Sequence, residues 1–246
     1  MNNFYTNNYS IVNLYKKNSS KSKIVTQMIY GESFKIINKS SKWIKIRIKE
    51  DGYTGYVKNK RFISYLKPTH KVSVLSATIY KNSNYNMKIG KLSYVSKIKV
   101  EKITSKFSKF QNKWIETKNI KPIKYINKNI FKDIEVFKGT KYKWGGKTFT
   151  GIDCSALIQV FLNFNNKFCP RDTGKQAKFF KKNISLNNIK KNDIIYWKGH
   201  VALALSTKKL IHAYGPRKKV LIMDIKKTVE LIKKTANLKV TAVKRI

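Results

Sequence analysis

The stretch GGKTFTGIDCSALIQVF, residues 145–161, decides how this chain is read. Two glycines and a short loop open it. Asp153, Cys154 and Ser155 follow, and the chain then turns apolar at helical spacing through Ala156, Leu157, Val160, Phe161 and Phe164. Apolar residues at that period predict a helix with one buried face, starting at Cys154. A cysteine between an aspartate and a serine at the head of a helix raises a question of chemistry.

The thiolate is the attacking form of cysteine. An ordinary thiol titrates at about 8.5, and a helix N-terminus or a nearby imidazole stabilises the anion. A base must also take and return the proton. The chain has three histidines. His70 falls in an expected linker. His200 and His212 lie on the expected strands HVALALS and KLIHAYG, with a turn between, a spacing compatible with neighbours on one sheet. One imidazole would face the thiol, and the other would orient the first, the part a carboxylate plays in a Ser-His-Asp triad. The competing reading is plain packing, since a cysteine at a helix start is more often a small buried hydrophobe. Pattern alone leaves both open. Cys154, His200 and His212 lack the close pairings of zinc ligands, so no metal is expected.

Composition narrows the setting. The formal net charge is +42 over 246 residues, which invites a nucleic-acid reading. Almost all of the positive charge is lysine spread along the chain, and arginine occurs only at Arg47, Arg61, Arg171, Arg217 and Arg245. Base readout and bidentate phosphate clamps favour arginine. Inflated Lys, Asn and Ile point to A/T-rich codons, so no specific nucleic-acid partner is expected. No apolar run reaches membrane-spanning length, and no membrane partner is expected. The N-terminus MNNFYTNNYSIVNLYKKNSS lacks an apolar h-region and a small-residue cleavage site, so a cytoplasmic protein is expected. The two cysteines, Cys154 and Cys169, are expected to be free thiols in that reducing compartment.

Along the chain, residues 1–66 read as short strands and turns. KWIKIRIKEDGYTGYV breaks at Asp51-Gly52, a hairpin signal between alternating runs. Lys67 to His70 reads as a linker. Residues 67–122 repeat the style, with Trp114 placed much as Trp43 is, and suggest a second small barrel. Residues 123–246 differ. KDIEVFKG should end a helix at Gly139, the cysteine helix follows, and NDIIYW, HVALALS and KLIHAYG are short apolar strands. The expected architecture is multidomain: two small β-barrels followed by an α+β domain.

GTKYKWGGKTFTGIDCSALIQ resembles the signature of the NlpC-type cell-wall peptidases, a papain-like cysteine peptidase family. CPRDTGKQ, NDIIYWKGHVALAL and KLIHAYG are similar to that family's later blocks, in the same order. The resemblance implies Cys154 as nucleophile, His200 as base and His212 as its orienting partner. It implies Tyr142 near the oxyanion, with the Cys154 amide as a second donor. The family usually has glycine where this chain has Ala156. The N-terminal segments resemble bacterial SH3-like domains, as in a branch similar to γ-D-glutamyl-L-diamino acid endopeptidases. That branch cuts peptidoglycan stem peptides carrying a free N-terminal L-Ala and needs no cofactor. By the same resemblance Asp153 and Ser155 bind the amine, with Glu32, Tyr53, Trp144 and Thr173 as further substrate contacts. Arg171 and Asp172 are expected to pair with each other and fix their loop. The partner implied is a peptidoglycan-derived peptide, and the oligomeric state stays open. Competing expectations are an endopeptidase of intact wall, and a wall- or polyanion-binding protein with an inactive peptidase domain.

Overall fold

A computed structural model of the chain describes residues 4–246, so residues 1–3 of the expected first barrel and N-terminal segment lie outside the described residues. The first segment closes into one seven-stranded antiparallel sheet in the order Ile24–Ile29, Ile11–Tyr15, Thr54–Lys58, Trp43–Ile48, Ser33–Lys39, Phe4–Thr6, Ile63–Ser64. Alternation sets which side chains face in. Ile44, Ile46 and Ile48 point to a core with Leu14, Met28, Phe34 and Val57. The hairpin at Asp51-Gly52 forms, with Gly52 at φ 71°.

His70 is not in a linker. It begins the strand His70–Val72, which pairs with Lys97–Ile98 and Ile120–Pro122. The rest of this segment is a five-stranded sheet carrying Trp114 on the strand Lys113–Glu116. The two β-rich segments meet closely at Gly31, whose φ is 80° and where any Cβ would strike the Lys97 carbonyl. Glycine is the one residue that fits there.

The third segment is α+β. Helices α1 (Cys154–Phe164), α2 (Thr173–Phe179) and α3 (Ile225–Ala236) accompany a six-stranded antiparallel sheet. Its strand order is Lys182–Asn183, Val240–Arg245, Ile194–Trp197, His200–Ala204, Lys209–Tyr214, Lys219–Asp224. One sheet face packs on α1 through Ile194, Tyr196, Val201, Leu203 and Ile211. The other packs on α3 through Ile195, Ala202, Leu210 and Ile232. KDIEVFKG does not form an α-helix. Only Ile134–Phe137 coils, as a 3-10 turn, because Asp133 enters it at φ 61° and Gly139 follows at φ 83°.

Helix α1 is buried all round except at Asn163, not on one face as its period predicts. The reason is tertiary. Tyr94 of the second β-rich segment stacks on Phe164 at 4.9 Å, and Ile29 of the first joins the same cluster. The Lys71 ammonium donates to the Phe164 carbonyl at the C-terminal end of α1, a helix end that favours a cation. Burial lowers that ammonium to about 8. The helix that starts at Cys154 is thus held by all three segments. Among the described residues no helix is long and apolar enough to cross a membrane.

Candidate active site

The loop before α1 sets the position of Cys154. A tight hairpin pairs Lys147–Thr148 with Gly151–Ile152, and Gly146 lies so close to the Gly151 carbonyl that a Cβ would not fit. Asp153 then caps α1 in extended conformation, its Oδ1 accepting from the Ala156 amide at 2.9 Å. Cys154 is the first helical residue and is 6% exposed. The backbone amides of Val201 and Ser155 lie near its sulfur and favour the thiolate. Val201 adjoins His200, so the thiol lies at the head of the strand His200–Ala204.

The two histidines meet across neighbouring strands, with His200 Nε2 2.9 Å from His212 Nδ1. His212 is fully buried and stacks on Tyr214, with centroids 4.8 Å apart at an interplanar angle of 9°. Its Nε2 lies 3.3 Å from the Met223 sulfur. A thioether can only accept, so a neutral His212 carries its proton on Nε2. His212 Nδ1 then accepts from His200 Nε2–H, and His200 Nδ1 keeps a free lone pair. Met223 thus sets the tautomer that leaves His200 able to take a proton.

Tyr142 lies beside this centre. Its backbone bridges to Ile152, and its N–H donates to the Lys218 carbonyl at 2.8 Å. Burial first, then the proximity of Cys154 and Asp153, raises its phenol, which keeps the O–H as a donor.

Asp153 is saturated. Its Oδ1 accepts from Ser155 Oγ (3.1 Å), the Ala156 amide (2.9 Å) and Arg171 Nη1 (2.9 Å). Its Oδ2 accepts from the Gly145 amide (2.9 Å) and Arg171 Nη2 (2.6 Å). Arg171 therefore does not pair with Asp172, as expected from their adjacency; it turns inward to Asp153. Its Nη1 also reaches Ser155 Oγ at 2.9 Å, and its Nε donates to Thr26 Oγ1 of the first barrel at 2.7 Å. Asp172 instead lies near Tyr53, where its charge helps burial to raise the phenol. Glu32 is 2% exposed and bound to the buried Lys147 ammonium at 2.6 Å, its other oxygen accepting from the Ile29 amide. Burial raises its carboxyl, against the pull of Lys147. Tyr53 and Trp144 line a cavity of about 580 Å³ between the first barrel and the third segment, together with Asp51, Arg171 and Asp172. Trp144 is 66% exposed at its mouth. Thr173 opens α2 next to this cavity, while Glu32 stands behind Lys147 and does not line it.

A family model described as the NlpC/P60 family matches residues 139–236. Those residues form an NlpC/P60 domain. A second model, described as the bacterial dipeptidyl-peptidase Sh3 domain, matches residues 14–61. The chain is 24% identical to dipeptidyl-peptidase 6 of Lysinibacillus sphaericus over 229 residues, 82% of this chain and 84% of that protein. It is 31% identical over 85 residues to the murein DD-endopeptidase MepS/murein LD-carboxypeptidase of Escherichia coli K12, covering 31% of this chain and 44% of that one. An NlpC/P60 family protein from Bacillus cereus shares the fold end to end, with a TM-score of 0.85 at 18% identity over 98% of this chain and 99% of that one. An SH3-like β-rich region followed by an α+β NlpC/P60 domain is therefore the architecture.

Within this NlpC/P60 site the electrostatics differ from the sequence expectation. A helix N-terminus was expected to make the thiol a thiolate. Burial instead pushes the Cys154 thiol up to about 12, and Asp153 adds to the rise. The Val201 amide, the Arg171 charge and the Ser155 amide pull it back only in part. Burial also lowers His200 to about 4, and burial together with the His200 charge lowers His212 to about 3. The resting pair is neutral thiol and neutral imidazole. Proton transfer to His200 then accompanies attack. The base is competent while unprotonated, so kcat/KM should hold from neutral pH down through 6.5 and fall only as pH approaches about 4. Folding stability carries the same sign. The unfolded imidazoles bind protons below about 6.5 and the folded ones resist, so stability present above that pH is lost as pH falls toward 4. An acid limb of kcat/KM centred at or above 6.5 would contradict the buried, neutral pair.

Sequence reasoning gave Arg171 the wrong partner and missed Lys147 as an organiser of the site. The rarity of arginine in so lysine-rich a chain was a usable signal for Arg171. Nothing set Lys147 apart from the surface lysines.

Proposed function

We propose that this NlpC/P60 enzyme hydrolyses the γ-D-glutamyl-L-diamino acid bond of short peptidoglycan stem peptides that carry a free N-terminal L-Ala. One observation carries the reading: the cavity bordered by Arg171, which binds Asp153 next to the nucleophile, is walled by the first barrel, through Val25, Asp51, Tyr53 and Thr54. A wall on that side stops a chain that continues toward the N-terminus. The similarity of that barrel to the dipeptidyl-peptidase Sh3 domain, and of the chain to dipeptidyl-peptidase 6, supports it. The proposal places the reaction on soluble, trimmed peptides in the cytoplasm.

The mechanism uses the neutral pair. The Cys154 sulfur attacks the γ-carbonyl of D-glutamate as its proton passes to His200 Nδ1, while His212 holds the ring. The Tyr142 hydroxyl and the Cys154 amide donate to the oxyanion. His200 returns the proton to the departing amine. It then takes one from water, which hydrolyses the thioester and frees L-Ala-D-Glu, and passes that proton to the departing Cys154 sulfur.

The ammonium of L-Ala needs a carboxylate with room. A carboxylate offers about four acceptor sites, and Asp153 already meets five donors. Asp51 and Asp172, the two carboxylates on a wall that also carries Lys16, Lys23, Arg171 and Lys175, supply the charge instead. Asp153 and Ser155 act with Arg171, whose guanidinium is spent on Asp153, Ser155, Thr26 and the Gly146 carbonyl, to fix the loop that carries the nucleophile. Trp144 and Tyr53 enclose the dipeptide, and Thr173 borders it.

Incubation with L-Ala-γ-D-Glu-diaminopimelate and its N-acetyl twin, followed by mass spectrometry, tests the reading. The free peptide should release Ala-Glu, and the acetylated one should be cut at least about fivefold more slowly, since Asp51 and Asp172 are only half-buried and a solvated charge pair is worth up to about 1 kcal/mol. Equal cutting of both, or release from crosslinked wall, would move the enzyme to intact peptidoglycan. Cutting of neither by folded protein would leave a binding protein.

A further inference from the structure

We infer that a cavity at the far end of α1, between the second β-rich segment and the catalytic segment, is a ligand site separate from the active site, and that it takes a free aromatic α-amino acid. This site shares no residue with the catalytic centre, and its test does not use peptidase activity.

Its place comes first. The cavity holds about 330 Å³ and is walled by Val74, Leu75 and Tyr94 on one side and by Tyr125, Phe161 and Phe164 on the other. Phe161 and Phe164 lie in the last turn of α1, and Cys154 opens its first. Roughly 10–15 Å of helix therefore separates the cavity from the nucleophile. Small-molecule sites favour such boundaries between segments, with apolar and aromatic walls and a few polar groups that fix orientation.

One polar group inside points to an occupant. Tyr94 is 5% exposed, and its ring packs on Phe161 and Phe164. Its hydroxyl has no hydrogen-bond partner among the described residues. A hydroxyl on so buried a side chain is normally paired. Burial raises the phenol, and Asp133 and Tyr125 nearby add to the rise, so the O–H is kept as a donor.

Chemistry names the occupant. Walls of rings and branched aliphatics suit a planar aromatic group. Three exposed charges stand at the rim, Lys121, Lys132 and Asp133, and none makes an ion pair among the described residues. Lys121 stands over the Tyr125 ring, 5.6 Å from its centroid, so a cation and the aromatic wall are already held together. A ligand with only a carboxylate would bring it against Asp133, and one with only an ammonium would meet two lysines. A zwitterion satisfies both signs, its carboxylate on the lysines and its ammonium on Asp133. The Tyr94 O–H adds a donor to that carboxylate. An α-amino acid with an aromatic side chain joins the ring and the zwitterion in one small molecule.

Calorimetry of the whole chain with L-tryptophan tests this. Binding to a single site is expected, with a Kd of about 0.5 mM or tighter for a ligand of this size. Tryptamine lacks the carboxylate and indole-3-propionate lacks the ammonium. Each should bind at least about fivefold more weakly, the worth of one solvated charge pair. Tyr94→Phe should weaken L-tryptophan about fivefold, as loss of one hydrogen bond does, and leave the unfolding midpoint of the free protein unchanged, since that hydroxyl has no protein partner to lose. Asp133→Asn keeps the turn at φ 61°, which asparagine tolerates, and should cost about fivefold through the ammonium alone. Val136→Trp, at the exposed rim of the same cavity, should fill it and weaken binding by more than about tenfold. Absence of binding at about ten times the expected Kd overturns the inference. Binding that Tyr94→Phe and Val136→Trp leave unchanged overturns it too, because the ligand would then sit elsewhere. Equal binding of all three indoles also overturns it, because the site would then read the ring alone.

Discussion

Replacing Cys154 with Ala should abolish turnover of the stem peptide, a fall of at least about 10⁴-fold, while the fold and peptide binding persist. The side chain is the first residue of α1 and points to the head of the strand that begins at His200. No other nucleophile stands there. Ser155 has its hydroxyl tied to Asp153 and Arg171, and Cys169 is buried with its thiol turned to the Pro170 carbonyl. The structural cost is small. Alanine suits a helix, the lost sulfur leaves little void, and the Asp153 cap on the Ala156 amide is untouched, so stability should change by about 1 kcal/mol. Mass-spectrometric turnover, thermal unfolding and calorimetric binding of the uncut peptide measure the three quantities together. Residual cleavage above the uncatalysed rate would remove Cys154 as nucleophile. Loss of both activity and fold would show instead that the thiol is a packing residue.

Much of this arrangement is legible from residue pattern. The period of residues 154–164 places a helix behind Cys154, and the two histidine strands fall beside each other as their spacing suggests. Asp51-Gly52 marks a turn because few residues tolerate its positive φ. What pattern does not reveal is where charge goes inward. Lys71 and Lys147 are fully buried, yet each resembles the many lysines left in solvent. Their partners, the Phe164 carbonyl and Glu32, are 93 and 115 residues away in sequence. Local pattern carries no information about such pairs. The same holds for Arg171, which a neighbouring Asp172 seemed to claim, and for the neutral thiol, whose state is set by burial that only the assembled fold creates. Helix α3 carries its own signal in Ile225, Thr228 and Ile232, but its use as a cavity floor depends on the sheet beneath it.

Replacing Arg171 with Met should destabilise the protein by about 3–5 kcal/mol and slow the enzyme as well, because it strands a buried charge. Asp153 is 6% exposed and two of its five donors come from the guanidinium, at 2.6 and 2.9 Å. Removal leaves a carboxylate one residue from the nucleophile with no cation against it. It also frees the Ser155 hydroxyl and cuts the 2.7 Å bond from Arg171 Nε to Thr26, which ties the first barrel to the catalytic segment. Three effects then add. The capping aspartate loses its fixed geometry, its uncompensated charge raises the Cys154 thiol further, and the barrel wall of the substrate cavity loosens. The unfolding midpoint should fall by roughly 6–20 °C for a chain of this size. Controls separate the terms. Thr26→Val removes only the barrel bond and should cost about 1 kcal/mol. Asp153→Asn added to Arg171→Met removes the stranded charge and should recover part of the stability without restoring activity. A change below about 1 kcal/mol for Arg171→Met alone would mean that water or another cation already serves Asp153, and that the inward turn of this arginine organises nothing.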